Sequence, residues 1–160
     1  VSEPAQFRHL PPMIPPEIAG GEWTFDADWV SPPLDGVQVE IKRGMRTDGA
    51  SIPRIAWRII GHPLQVPLLG PALCHDALYA GELVSGHHEA DWMFLGWMQQ
   101  AGICWAKRNA VWSAVRSCGG WTWDRHTRAS VTKARMYCRL IVSDGKQTCG
   151  VSRFGHMAFA

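Results

Sequence analysis

Several things are scarce in this chain of 160 residues, and each absence removes a class of protein. No apolar run approaches eighteen residues, so a membrane-spanning helix is not expected. The opening Val1-Ser2-Glu3-Pro4 shows no basic-then-apolar pattern, so no secretory signal peptide is expected either. There is no CxxC pair. The five cysteines, Cys74, Cys104, Cys118, Cys138 and Cys149, are odd in number and widely spaced, which argues against a zinc knuckle or a redox motif and for buried, reduced thiols. Charged residues make up only 19% with a net charge of +2, which points neither to a nucleic-acid binder nor to an acidic tail protein. Proline is missing after Pro71, and no internal repeat is visible.

Hydrophobic residues make up 46%, ordinary for a globular protein, and the length is enough for one domain with a real core. Nine tryptophans are unusual, and tryptophan fills both cores and partner-facing surfaces. The eleven prolines divide the chain into an extended, turn-rich first part and a helical second part. Residues 1–21, with Pro11-Pro12, Pro15-Pro16 and Gly20-Gly21, read as an arm rather than a packed element, either disordered or strapped across a neighbouring subunit. Residues 22–142 form the globular domain and 143–160 a tail with little signal beyond an Asp144-Gly145 turn.

Glu22–Trp29 and Val37–Arg43 alternate apolar with polar residues, the period of half-buried strands. Joined by the turn Ser31–Gly36, they are expected to pair as an antiparallel ribbon with Trp23, Phe25, Val37, Val39 and Ile41 on the inner face. A tight loop, Arg46–Arg54, follows, in which Asp48 and Ser51 either cap the apolar turn Ile55–Ile60 or face His75. One helix is expected from near Gly70-Pro71 to Ala80-Gly81, with Ala72, His75, Asp76 and Tyr79 on one face. In a second, opened by Ser85–Glu89, Ala90, Met93, Phe94, Trp97, Met98 and Ala101 form an unbroken apolar stripe with Asp91 at its margin. The short connection suggests an antiparallel pair that brings Asp91 to His75. A third helix is expected over about Cys104–Ser117, then a turn at Gly119-Gly120 before the exposed aromatics Trp121 and Trp123. Asp124–Lys133 is polar and basic, and Met136–Val142 is either a strand or a helix end.

Chemistry concentrates in Leu73–Tyr79 read with Ala90-Asp91. A histidine and an aspartate on apolar segments are costly to bury without partners. If Asp91 binds one imidazole nitrogen of His75, it fixes the tautomer and leaves the other nitrogen as a base towards water. Asp76, about 100° around the helix, offers a ligand for a hard cation such as calcium, with Leu69-Gly70-Pro71 the nearest source of carbonyls. Set against catalysis is a buried His–Asp–Tyr hydrogen-bond network, completed by Tyr79, that ties two helices together. A zinc reading would use His75, His87, His88 and Asp91. No nucleophile elbow surrounds Ser51, which weakens a Ser51–His75–Asp triad. Lys107-Arg108, Arg116, Arg125 and Arg128, with intervening tryptophans and nearby acids, read as a solvated face rather than a nucleic-acid surface.

Thr47–Arg54 (TDGASIPR), Trp57, Ala72 with His75-Asp76 and Leu78-Tyr79, Ala90-Asp91 with Phe94 and Met98, Ala114-Val115-Arg116 with Gly119, and Trp121 or Trp123 resemble, in that order, a phage and prophage family of unknown function, domain of unknown function thirteen fifty-three. The resemblance implies a phage gene product often encoded near tail genes. A fainter one is to small calcium-dependent phospholipases, whose HD-x-x-Y helix and following AD helix would make His75 the base, Asp76 the calcium ligand and Asp91 the orienting acid. The chain lacks their glycine-rich calcium loop and disulfide framework. The expected fold is α+β: a small antiparallel sheet packed with a three-helix layer, plus the proline-rich arm. The expected function is a virion protein of the tail tip or baseplate, made in the host cytoplasm. It would be present in many copies among other tail proteins, with no nucleic-acid partner and a hydrolase-like site of His75, Asp91 and Tyr79. The alternative is a hydrolase of the host envelope, acting on a lipid ester or the cell wall.

Overall fold

A computed structural model describes residue 7 and residues 9–17, 21–47 and 67–143. The fold is α+β, and the described elements are β1 (Met13–Ile14), β2 (Trp23–Phe25), β3 (Trp29–Val30), β4 (Val37–Ile41), β5 (Arg46–Thr47), α1 (Leu69–Gly81), α2 (His87–Gln100), α3 (Trp105–Trp123), α4 (Arg128–Arg135) and β6 (Cys138–Val142). The strands form two antiparallel sheets, ordered β1-β2-β5 and β3-β4-β6.

The expected ribbon between the first two alternating segments does not form. β2 pairs with β1 and β5, with Trp23 opposite Thr47, whereas β4 pairs with β3 and, along its whole length, with β6. Alternation assigns each side chain to a face of a strand but does not name the strand beside it. The chain leaving β4 turns back at Gly44 and Met45, and Phe25 exchanges backbone hydrogen bonds with these two residues at 2.8 and 2.9 Å. Facing is as expected for Phe25, Val39 and Ile41, which are fully buried, whereas Trp23 and Val37 are half-buried. The turn into β4 is a two-residue Asp35-Gly36 hairpin with φ of 48° and 80°, the left-handed pair that matches strand twist. Leu34 and Val37 close it with reciprocal hydrogen bonds of 2.8 and 2.9 Å.

The described part of residues 1–21, read as an arm, touches the domain, although most of its residues are exposed or half-buried. Met13–Ile14 is a strand, Trp29 Nε1 donates to the His9 carbonyl at 2.8 Å, and Asp26 N donates to the Pro12 carbonyl at 2.9 Å. Phe7 lies on Gly70, with a ring carbon 2.2 Å from where a Cβ would stand, so the first turn of α1 accepts this ring only because residue 70 has no side chain.

α1 is the central element. Pro71 sits in its first turn, where a missing N–H costs nothing, and the helix is buried on almost every side. On one side Leu73, Cys74, Ala77 and Leu78 join Phe25, Trp29, Val39, Ile41 and Trp97 in the sheet-side core. On the other, Ala72 joins Phe94, Met98, Ile103, Val111 and Val115 among the helices. At its C-terminus Glu82 takes the left-handed conformation, φ 42°, and Arg135 of α4 donates to the Gly81 and Glu82 carbonyls at 2.6 and 2.9 Å. A guanidinium there satisfies orphan carbonyls and complements the helix dipole.

The stripe read on α2 is the buried face: Ala90, Met93, Phe94, Trp97 and Met98 are all enclosed. α3 corrects a second expectation. It continues through Gly119 and Gly120 to Trp123 instead of ending near Ser117. Two glycines disfavour a helix by about 1 kcal/mol each, but the Tyr79 hydroxyl occupies the space a side chain at residue 119 would take. α4 was not foreseen; Thr127 and Ser130 cap it reciprocally, a box with serine where glutamate is more usual. Of Met136–Val142, Met136 caps α4 and Cys138–Val142 is strand β6.

Of the thiols expected to be buried, Cys74 and Cys138 are, Cys118 is half-buried, Cys104 is exposed, and Cys149 lies outside the described residues. Burial pushes the Cys138 thiol up to about 11 and raises that of Cys74 as well. With iodoacetamide at pH 8, Cys104 is therefore expected to alkylate about 100-fold or more faster than Cys74 and Cys138. Peptide mass spectrometry would read this, and equal labelling of Cys138 and Cys104 in folded protein would contradict the packing of β6 on α1. Among the described residues no helix is long and apolar enough to cross a membrane.

Candidate functional site

α1 and α2, joined through Glu82–Gly86, bring the two organising residues together. His75 Nε2 lies 2.9 Å from Asp91 Oδ1, and the Tyr79 hydroxyl donates to the same oxygen at 2.7 Å. His75 and Tyr79 are one helical turn apart on α1, so both side chains reach one point on the facing helix. Their rings stand 4.3 Å apart between centroids, and Phe94 closes the other side of the imidazole at 4.7 Å. His75 is 5% exposed and Asp91 not at all.

Burial alone would raise the Asp91 carboxyl, but the hydrogen bonds from His75 and Tyr79 outweigh it and hold the group below its ordinary 3.8. Asp91 is thus a carboxylate at neutral pH and only accepts. Nε2 must then carry a proton, and in the neutral form of the ring Nδ1 keeps the lone pair. Burial, the bond to Asp91 and the field of its charge raise the Tyr79 phenol against the opposing pull of Arg116, so Tyr79 is a fixed donor.

Two residues of α3 complete the surroundings of Asp91. Arg116 places its guanidinium 3.9 Å from Oδ2, against His88 Nδ1 and over the Trp112 ring at 5.5 Å. Gly119 provides room: a Cβ there would stand 2.3 Å from the Tyr79 hydroxyl and 3.6 Å from Asp91 Oδ2. Neither residue was singled out as a site member, although three residues of spacing on a helix place them on one face. At Gly120 a Cβ would stand 3.5 Å from His87 Nε2, an ordinary contact that does not require glycine.

Asp76 points elsewhere. It accepts a hydrogen bond from the Thr47 hydroxyl and lines an open cleft of about 210 Å³ with Thr47, Tyr79, Ala80, Thr122 and His126. Tyr79 is the residue shared by the cleft and the buried network, and His75 is not among the cleft-lining residues. Leu69, Gly70 and Pro71, the nearest candidates for calcium-binding carbonyls, lie in the first turn of α1, where carbonyls accept from N–H groups one turn on. As helical residues they do not form a cation loop. Asp48 and Ser51, expected to cap a turn or face His75, lie outside the described residues, as does Trp57. Of the four groups in the zinc reading, His87, His88 and Asp91 come together, with one ligand atom from each within 4.8 Å of the others. His75 instead approaches the opposite oxygen of Asp91. Burial, His87 and Arg116 lower the His88 imidazole below its ordinary 6.5, against the pull of Asp91.

The two helices that carry His75, Tyr79 and Asp91 lie within a stretch that matches a family model. The model of the family described as protein of unknown function (DUF1353) matches residues 23–115, more than half of the chain, and the chain belongs to that family. It is also similar to an uncharacterized protein, y4jT, of Sinorhizobium fredii (strain NBRC 101917 / NGR234), with 32% identity over 89 residues. The matched stretch covers 55% of this chain and 26% of that protein, so the chain spans about a quarter of its relative's length. No solved structure matches the chain. The family match includes His75, Tyr79 and Asp91 and stops just before Arg116 and Gly119.

Proposed function

We propose that this chain is a hydrolytic component of a phage-type particle, placed at the tail tip or baseplate, with His75 as general base. The observation that carries the reading is the seat of Asp91: Oδ1 takes Nε2 of His75 at 2.9 Å while Tyr79 holds the same oxygen at 2.7 Å. A carboxylate so fixed orients the imidazole and stabilises its cationic form once it has taken a proton. Nδ1 then removes a proton from a water as that water attacks a carbonyl carbon. The proton returns through the imidazole to the leaving group as the ester or amide bond breaks. The substrate class is an acyl bond of the host envelope, a lipid ester or a cell-wall amide. Asp76, on the wall of the neighbouring cleft, is the group to which calcium is assigned in this reading. The particle setting is supported by the order of the motifs and by a surplus of tryptophan. Trp105 and Trp121, both well exposed, are suited to packing against other chains.

A structural role for the network is the second reading. It is favoured by the near-complete burial of His75 and its absence from the cleft wall. The experiment that separates the two compares wild type with His75→Gln for fatty-acid release from phospholipid vesicles and fragment release from purified cell wall, with and without calcium. The hydrolytic reading expects release by wild type, a loss of at least about 100-fold in His75→Gln, and nearly unchanged melting. A folded wild type that releases nothing, with a variant that melts lower, leaves the network as a helix tie.

A further inference from the structure

The second oxygen of Asp91 is not used by the network just described. Oδ2 is buried without a hydrogen bond, and so is Nδ1 of His87, 3.7 Å away and one helical turn earlier on α2. Two buried polar atoms facing each other without a proton-mediated contact form an unsatisfied pair, and such pairs are uncommon in folded proteins. His88 stands beside them, with its ring 3.9 Å from that of His87, and one ligand atom from each of the three residues lies within 4.8 Å of the others. Ligand atoms about 2.1 Å from a tetrahedral ion lie roughly 3.4 Å from one another. The His87–Asp91 pair is therefore close to the separation a shared ion requires.

We propose that His87, His88 and Asp91 Oδ2 form a binding site for a first-row divalent cation of the zinc class. Two imidazoles and one carboxylate suit such an ion, and three protein ligands leave a coordination position for water. His87 and Asp91 share one face of α2 at i and i+4, so the helix sets their spacing, and His88 follows from the first turn. Asp91 keeps Oδ1 for His75 and Tyr79 while Oδ2 binds the ion, so the cation site and the imidazole network share a carboxylate but no atom. Arg116 is the built-in competitor. Its guanidinium lies 3.9 Å from Oδ2 and against His88, and it must move aside when the ion enters. The site does not depend on the hydrolytic reading, because it requires no action by His75.

Zinc affinity of the full chain is measured by competition with a chromophoric chelator, and the coordination environment by cobalt(II) absorption. Wild type is expected to bind one equivalent, with cobalt bands of nitrogen and oxygen coordination and no thiolate charge-transfer band. His87→Ala and His88→Ala should each weaken zinc by at least about 10-fold, while Arg116→Ala, which removes the competing cation, should tighten it. Folded wild type that binds neither ion stoichiometrically overturns the site. Binding that survives both histidine substitutions, or cobalt spectra showing cysteine ligation, overturns it too. His75→Gln is expected to leave zinc binding intact; wild type that binds zinc but releases nothing overturns only the hydrolytic reading, and wild type that hydrolyses without binding zinc overturns only the cation site.

Discussion

Asp91→Ala is expected to destabilise the protein by about 3–5 kcal/mol, since it deletes two buried hydrogen bonds to a charged group at about 1.5–3 kcal/mol each. The deletion leaves the Nε2–H of His75 and the hydroxyl of Tyr79 without an acceptor in a space closed to water, and leaves Arg116 without the carboxylate beside it. Asp91→Asn keeps the volume and one carbonyl oxygen, so it should fall between alanine and wild type, losing mainly the difference between charged and neutral hydrogen bonds, about 1 kcal/mol each. Urea unfolding at pH 7 would measure both. The same carboxylate sets a pH dependence. Its folded value lies below the ordinary 3.8, so its contribution is fully present above that pH and is lost as pH falls through the lowered value. The gap between wild type and Asp91→Asn should accordingly be constant near neutrality and close in strong acid. Equal urea midpoints for wild type and Asp91→Asn at pH 7 would contradict a charged Asp91 at the centre of the helix interface.

Gly119→Ala reverses a familiar sign. In an ordinary helix interior the change from glycine to alanine stabilises by about 1 kcal/mol. Here the new Cβ would meet the Tyr79 hydroxyl at 2.3 Å, so either the hydroxyl leaves Asp91 or α3 shifts away from α1. A loss of about 1–3 kcal/mol is expected, typical of overpacking. Tyr79→Phe removes the atom in conflict and leaves the ring carbon at 3.4 Å and Asp91 Oδ2 at 3.6 Å from the Cβ position, both ordinary contacts. Gly119→Ala made on that background should therefore be neutral or stabilising, although Tyr79→Phe itself loses a hydrogen bond to a charged group, about 1.5–3 kcal/mol. The four proteins form a double-mutant cycle. An equal penalty for Gly119→Ala with and without the hydroxyl would mean that something other than Tyr79 requires the glycine.

The meeting of His75 with Asp91 was legible because it depends on helical periodicity and a short connection, both local properties of the chain. The unbroken stripe from Ala90 to Met98 fixed which face of α2 is buried, and Asp91 at its margin had to face α1 or water. Strand pairing was not legible in the same way. Trp23–Phe25 and Val37–Ile41 each declare two faces, but only the return of the chain through Gly44 and Met45, and the arrival of β6 from the far end of the sequence, decide their neighbours. Local preference also misled at Gly119-Gly120. Glycine pairs usually mark turns, and here the missing side chain of Gly119 makes room for Tyr79 of α1. Arg116 and Gly119 carried a signal in their three-residue spacing within the AVR-x-x-G run. What was invisible was the hydroxyl that makes the glycine necessary, because that contact is set by tertiary packing alone.

The imidazole of His75 is where the account is most directly exposed. Long-range proton–nitrogen correlation NMR at neutral pH, with His75 assigned by comparison with His75→Gln, reports which ring nitrogen carries the proton. A neutral ring protonated at Nε2, with its signal altered in Asp91→Asn, is the result expected of a base held by Asp91 with Nδ1 free to accept. A ring protonated at Nδ1, or one whose spectrum is indifferent to Asp91→Asn, would contradict the oriented base.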